Sequence, residues 1–261
     1  MSRLFQVKSF FNYWLDAVDE HSLHSPFLFQ LSTSILKKQF THPELAALRT
    51  LKRQLENDDR TLSVTDYGAG SIQLKNPERK ISQIARTSVS DEKFSLLYCQ
   101  LIQHWQCKHV LELGTSLGIN TLYMATGNPL TRVVTFEGSP EIASIARENT
   151  AKFKLENIHI IEGNINDTLP DYLSSSPDID FVFIDANHRY VPTLQYFERL
   201  IMKSHEQSII IVDDIHYSRE MEDAWRTILT NPKVYTTVDL YRCGLIFFNP
   251  ALTKQNVVLQ F

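Results

Sequence analysis

Apolar residues along this chain change their period once, near residue 105. Upstream, Phe10, Phe11, Trp14, Leu15 and Val18 recur every three or four positions, and Leu45 to Leu55 and Ile81 to Trp105 repeat the pattern. That spacing lines one face of a helix. His21-Ser22-Leu23-His24-Ser25-Pro26-Phe27 interrupts the first stretch, because Pro26 keeps Ser25 out of helical backbone. Downstream, short apolar runs rich in β-branched residues predict strands at His109–Leu113, Val133–Glu137, Ile158–Glu162, Phe181–Asp185, Ile209–Asp213, Lys233–Asp239 and Gly244–Phe248. Helical patterns separate the first five, which predicts parallel strands joined by right-handed crossovers. Leu240 to Cys243 is too short for a crossover, so the last two strands should pair antiparallel. The fold class is α/β.

The first strand candidate carries the most chemistry. In Val110-Leu111-Glu112-Leu113-Gly114-Thr115-Ser116-Leu117-Gly118 an apolar run bearing an acid breaks at one glycine, and a second glycine opens a helical pattern. Ligands of open α/β sheets sit beyond the C-terminal strand ends. Glycine lets backbone approach a ligand where a Cβ would collide, and the free amides of the next helix favour an anion. The next strand ends on Glu137-Gly138, and a carboxylate there is placed to accept hydrogen bonds from a ribose diol. The pattern suits a nucleoside with an anionic tail. A dinucleotide turn wants G-x-G-x-x-G. Here the spacing is E-x-G-x-x-x-G, and an acid ahead of the turn suits an ammonium or sulfonium group better than a diphosphate.

This stretch resembles motif I of the class I S-adenosylmethionine-dependent methyltransferases. Leu111-Glu112-Leu113-Gly114 is close to the phrase found in the catechol and caffeoyl-CoA O-methyltransferases. The resemblance covers roughly residues 105–250. It implies a Rossmann-like sheet of seven strands in the order 3-2-1-4-5-7-6, the last antiparallel. It also implies a helical extension or lid over residues 1–100 and a cofactor-binding domain over 101–261. S-adenosyl-L-methionine is the implied cofactor, held by Glu112, Gly114, Thr115, Ser116, Gly118, Glu137 and Gly138, with Asp185 contributing. Gly163, Asn164 and Asn166 match the family's adenine loop, although an Asx turn accounts for the same residues equally well.

Two later runs are apolar until their ends, Phe181-Val182-Phe183-Ile184-Asp185 and Ile209-Ile210-Ile211-Val212-Asp213-Asp214. Acids converging in a partly dry cleft repel one another unless a cation balances them. A hard divalent ion such as Mg²⁺ would do so, and the resembling metal-dependent enzymes use an Asp and an Asp-Asn pair at these points. Asp185, Asp213 and Asp214 match them, with Asp214 departing from the usual Asn. His188 stands where the family commonly has a lysine base, and its ordinary pKa suits that role. A helix-capping histidine is the plainer alternative. Asp185 and His188 are therefore the catalytic candidates, with His216 a weaker rival. Tyr190, Tyr217 and Trp225 are expected as pocket wall or core.

Two other segments compete for attention. Asp66-x-Gly68-x-Gly70 is a second glycine turn, but no β-run ending in an acid follows it before Gly114. It is expected to be an ordered loop of the extension. His21, His24 and Phe27 read either as a cap with a core aromatic or as substrate-pocket lining.

Composition narrows the partners. The 261 residues are 43% hydrophobic, enough for a full core. The net charge is −4, from 26 basic and 30 acidic residues without a basic block, which argues against stable nucleic-acid binding. Cys99, Cys107 and Cys243 lack C-x-x-C spacing, as suits a reducing cytosol and no zinc site. No signal-peptide core is present, and no apolar stretch reaches the roughly 18 residues of a membrane span. The expectation is a cytoplasmic O-methyltransferase of a small-molecule hydroxyl, with Mg²⁺ assistance and no membrane association. A homodimer is left open. The alternatives are metal-independent methylation of another small molecule or a tRNA nucleoside, a nucleotide-cofactor oxidoreductase, and a non-catalytic nucleoside-binding protein.

Overall fold

The first helix, α1 (Arg3–Asp16), shows its apolar stripe to solvent: Phe10 is 50% exposed and Trp14 58%. Its other face is the docked one. Ser9 is buried there, and the Tyr13 hydroxyl donates to the Leu259 carbonyl at 2.6 Å. A 3₁₀ turn (Glu20–Ser22) is capped by Asp19. Helix α2 (Pro26–Leu31) then starts with Ser25 as N-cap and Pro26 in its first turn. Phe27 meets Phe247 edge to face at 4.9 Å, while His21 and His24 are exposed. The His21–Phe27 segment is thus a helix start with a packed aromatic.

The structure, a computed structural model, describes residues 3–42, 44–64, 78–128 and 130–261. The Asp66-x-Gly68-x-Gly70 motif lies outside the described residues. The chain forms two compact units, Met1–Lys38 with Asp178–Phe261, and Gln39–Pro177.

The Gln39–Pro177 unit begins with α3 (Leu45–Glu56), a short antiparallel pair β1 (Thr61–Ser63) and β2 (Glu78–Lys80), α4 (Ile81–Thr87) and α5 (Glu92–His104). Leu48, Leu51 and Leu55 of α3 recur at helical spacing and pack with Ile81, Ile84 and Leu122. Strand-helix alternation follows: β3 (His109–Leu113), α6 (Ile119–Gly127), β4 (Arg132–Glu137), α7 (Pro140–Lys152), β5 (Ile158–Glu162) and α8 (Ile165–Ser175). The three strands are parallel in the order β5-β4-β3. All five residues of β3 are buried, Glu112 included.

The other unit continues with β6 (Ile179–Ile184), α9 (Tyr190–Leu200), β7 (Ser204–Asp213), α10 (Arg219–Leu229), β8 (Thr236–Asp239), β9 (Cys243–Phe247) and β10 (Gln255–Val258). Its strands run in the order β6-β7-β9-β8-β10. β9 is antiparallel to both β7 and β8, and β10 lies parallel to β8. The main strands number eight in a mainly parallel sheet. Within each unit the strands follow the predicted order, with β10 added at the edge beyond β8. Trp225 of α10 rests on Gly244, where an added Cβ would come within 2.3 Å of the indole.

Candidate active site

Strand register assembles the glycine loop. Leu113 pairs with Phe136, so Gly114 and Glu137 follow at the same end of neighbouring strands. The amides of Gly114 and Thr115 both donate to the Phe136 carbonyl at 3.0 Å. The chain then turns tightly, with Gly118 donating to the Thr115 carbonyl at 3.0 Å. Gly114, Ser116 and Gly118 all have positive φ, at 101°, 49° and 80°. A non-glycine residue with positive φ is uncommon and concentrates at functional sites. Ser116 also keeps a buried hydroxyl with no hydrogen-bond partner among the described residues.

Glu137 ties this loop to its own strand end. Its carboxylate accepts the Ser116 amide at 2.9 Å and the Ser139 amide at 3.0 Å. Glu112 behaves differently. It is fully buried, and its Oε2 accepts the hydroxyls of Thr121 and Thr135, the latter at 2.7 Å. Thr115 donates in turn to Thr135 at 2.6 Å. This acid therefore braces the loop through two threonines.

Register continues to β5, where Glu162 pairs with Glu137 and the Gly163 amide donates to the Glu137 carbonyl at 2.9 Å. Gly163 has φ 130°, and a Cβ there would sit 3.0 Å from Thr168. The Asn164 side chain accepts the Asn166 amide at 3.0 Å as the N-cap of α8, and Asn166 is exposed. The Asx turn weighed for this segment is what forms, and it occupies Asn164 Oδ1. Gly138 lies half-buried between Glu137 and Ser139. Within the Gln39–Pro177 unit, the structure thus brings Gly114, Thr115, Ser116, Gly118, Glu137, Gly138 and Gly163 together. A cleft of about 950 Å³ in the same unit, among α3, the end of α6 and the loop after α7, is lined by none of these residues.

The acids assemble within the other unit by the same logic. Ile184 pairs with Val212, so Asp185 and Asp213 stand at one end of adjacent strands. On the other flank Asp213 pairs with Cys243, which brings Arg242 beside it. Arg242 Nη2 donates to Asp213 Oδ2 at 3.1 Å. Asp213 is 0% exposed, and its Oδ1 has no hydrogen-bond partner among the described residues. Burial, then the charge of Asp185, pushes its carboxyl up to about 8 against the pull of Arg242. Asp214 is also raised by burial, opposed by His188. Arg242 is held above its ordinary value; burial works against it and Asp213 outweighs that.

His188 Nε2 lies 3.3 Å from Asp185 Oδ1, and the ring is 24% exposed. Burial would lower its pKa, but the hydrogen bond and charge of Asp185, with Asp214 and Asp213 behind it, raise it to about 9. The turn that aims it is strained, with Asn187 at φ 68° and His188 at φ 43°. Asp214 at φ 53° and Tyr241 at φ 66° add two more left-handed residues to the same strand-end loops. Tyr217 lies beside His188, with ring centroids 5.8 Å apart.

His216 is used elsewhere. Its Nε2 bonds Asp239 at 2.8 Å, and its Nδ1 lies 3.0 Å from both Glu222 and Ser9 of α1. Tyr241 stacks on the ring at 5.3 Å. Burial opposes protonation and the two carboxylates favour it, with the net effect a raised pKa. This residue anchors α1. Trp225 is core, and Tyr190 bonds Thr227 at 3.2 Å.

The acids do not fit a metal centre as they stand. Two of the three are already matched to side-chain cations, Asp185 to His188 and Asp213 to Arg242. Among the described residues, no three His, Cys, Asp or Glu side chains gather as an ion would need. Arg242, which sequence reasoning did not single out, is the cation beside Asp213. Its signal was the single basic residue of the closing hairpin.

Known proteins resemble this chain in sequence and in fold. Residues 111–215 match a family model described as a methyltransferase domain. The catechol O-methyltransferase of Mycobacterium tuberculosis is 33% identical over 136 residues, covering 51% of this chain and 60% of that protein. The catechol O-methyltransferase of Niastella koreensis is 32% identical over 131 residues, covering 49% of this chain and 57% of that protein. The chain thus spans 60% or less of the length of these relatives. In fold it is similar to an O-methyltransferase from Bacillus cereus solved in complex with SAH, with TM-score 0.55, 19% identity and coverage of 85% of this chain and 97% of that one. The O-methyltransferase TomG from Streptomyces achromogenes, solved with SAM, superposes with TM-score 0.56 at 19% identity, over 64% of this chain and 86% of that one. Among the described residues, no helix is long and apolar enough to cross a membrane.

Proposed function

We propose that this chain, whose strands and core sequence are similar to those of O-methyltransferases, transfers a methyl group from S-adenosylmethionine to the hydroxyl oxygen of a small molecule. The observation that carries the reading is the bond from the Ser116 amide to the Glu137 carboxylate, 2.9 Å long. It joins the two elements that such a cofactor would need, a glycine turn and a strand-end acid. The residues fit the group. Glycines at positive φ leave room for close approach, the Ser116 hydroxyl is buried without a partner among the described residues, and Glu137 brings a carboxylate to the strand end where a ribose would lie.

S-adenosylmethionine, when bound, supplies an electrophilic methyl on a sulfonium. The chain's part is to hold, orient and deprotonate. Gly114 to Gly118, Glu137, Gly138 and Gly163 would hold the nucleoside, and the first amides of α6 the carboxylate tail. His188, fixed by Asp185, would take the acceptor's proton as the oxygen is alkylated. With a pKa near 9 it is mostly imidazolium at neutral pH, so the base form grows with alkalinity. Positioning supplies the rest, since a well-aligned pair of reactants can contribute several kcal/mol.

Isothermal titration of the purified chain with S-adenosylmethionine, its demethylated product and NAD tests the reading. One site for the first two and none for NAD is expected. Binding of NAD alone would overturn it in favour of a nucleotide-cofactor oxidoreductase.

A further inference from the structure

The resemblance drawn from the sequence implies a divalent ion among the strand-end acids, and this chain carries the Arg242 guanidinium there, beside Asp213. We infer that the Arg242 guanidinium stands in for the ion beside Asp213, so that methyl transfer here is metal-independent and Asp213 presents its free oxygen to the acceptor. The inference rests on the methyltransferase reading and adds a positioning residue and a substrate preference to it.

The placement follows from the sheet. Asp213 ends β7 between two neighbours, and β9 runs antiparallel to it with Cys243 opposite. Arg242 is therefore delivered to Asp213 by backbone register. The link that carries it is braced, with the Tyr241 amide donating to Asp239 Oδ1 at 2.7 Å and the Arg242 amide to the Leu240 carbonyl at 2.8 Å. The resulting contact of 3.1 Å uses Asp213 Oδ2, one of the oxygens an ion would claim. Guanidinium stays charged in proteins, so it cannot step aside by losing its proton. Mg²⁺ demands near-ideal octahedral oxygen geometry at about 2.0–2.1 Å, and a guanidinium already bonded to one ligand both blocks and repels it. Asp185 is committed to His188 at 3.3 Å in the same way.

Asp213 Oδ1 remains. It belongs to a wholly buried side chain and has no hydrogen-bond partner among the described residues. A buried carboxyl oxygen without a partner calls for one, and a hydroxyl of the acceptor, able to donate or accept, can take that place. Recognition through one hydrogen bond differs from chelation. An ion rewards a vicinal diol that can bind it through two oxygens, whereas a single acceptor atom asks for one hydroxyl. The acceptor class is therefore a monohydroxylated molecule as readily as a catechol.

Mn²⁺ is the probe, read by electron paramagnetic resonance on the full chain. The wild-type protein should show no stoichiometric binding at 1:1 loading in the range about 10–100 µM. Arg242→Ala, which leaves the acids unbalanced, should tighten Mn²⁺ binding at least about tenfold, and Arg242→Lys should refuse the ion as the wild type does. If the alanine variant fails to fold by circular dichroism, the wild-type and lysine titrations decide alone. Stoichiometric wild-type binding that Asp213→Asn abolishes would overturn the inference. On an accepted substrate, full turnover after EDTA supports it, and loss restored by Mg²⁺ overturns it. Titration with S-adenosylhomocysteine separates the two levels, because absence of that binding removes the methyltransferase reading whatever the metal result.

Discussion

Glu137 holds the backbone of Ser116, twenty-one positions earlier in the chain, through one hydrogen bond of 2.9 Å. The loop and the acid are therefore one device. A substitution at either end should be felt at the other.

Glu137→Ala should weaken S-adenosylmethionine and S-adenosylhomocysteine alike, by about 1–3 kcal/mol in a calorimetric titration, the usual cost of leaving buried polar partners unpaired. Glu137→Gln keeps an acceptor for one of the two amides and should fall between. Equal affinity in all three proteins would remove Glu137 from the ribose.

The activity of His188 should follow its raised pKa. Its neutral form is the base, so turnover on a weakly acidic hydroxyl should rise about tenfold per pH unit from neutrality and level off near 9. His188→Ala should lower turnover by about 10²–10⁴-fold and abolish that limb. In stability the sign is reversed. A folded pKa above the unfolded value of about 6.5 stabilises fully below that value, and the contribution is lost as pH rises through about 9. Denaturant titrations at pH 6 and pH 10 would show it, with the difference shrinking in the alanine variant.

His216→Ala should free α1. Ser9, Glu222 and Asp239 would lose the ring that joins them, and the half-buried Glu222 and buried Asp239 would lose their shared partner. Amide exchange over residues 3–16 should accelerate at least about tenfold, the equivalent of 1.4 kcal/mol, while exchange in β3 and β4 stays as it was. Slow exchange in α1 of the variant would show that Tyr13 and its neighbours suffice.

Gly244→Ala tests packing. The new methyl would overlap the Trp225 ring at 2.3 Å, and overpacking of this kind costs about 1–3 kcal/mol. The melting temperature should drop, and a compensating Trp225→Phe in the same chain should recover part of the loss.

Much of this was legible because burial simplifies a sequence. Runs such as Phe181–Ile184 are apolar on both faces, so their strands stand out, and the acid that ends the run marks the rim. The glycines at 114, 118 and 163 advertise left-handed backbone that few other residues adopt. Ser116, Asn187, His188 and Asp214 take the same conformation without advertising it. β10 was missed because Gln255-Asn256-Val257-Val258 is short and half-exposed, with neither an apolar run nor a sharp alternation. The stripe on α1 was read from its period, which tells that a helix forms but not which face docks; Ser9 and Tyr13, polar at one end, do the docking. Arg242 escaped because its meaning depends on the pairing of β7 with β9, a contact between residues far apart in sequence.

That same distance bears on how the molecule is made. Tyr13 reaches its partner Leu259 across 246 positions, and Val18 and Leu259 close a parallel bridge. A ribosome adding about 5–20 residues per second needs ~12–50 s to deliver that partner. Until then the Tyr13 hydroxyl lacks the carbonyl it bonds in the folded chain, whereas Phe11 and Trp14 stay exposed throughout. Docking of this part of the chain thus waits until Leu259 has been made.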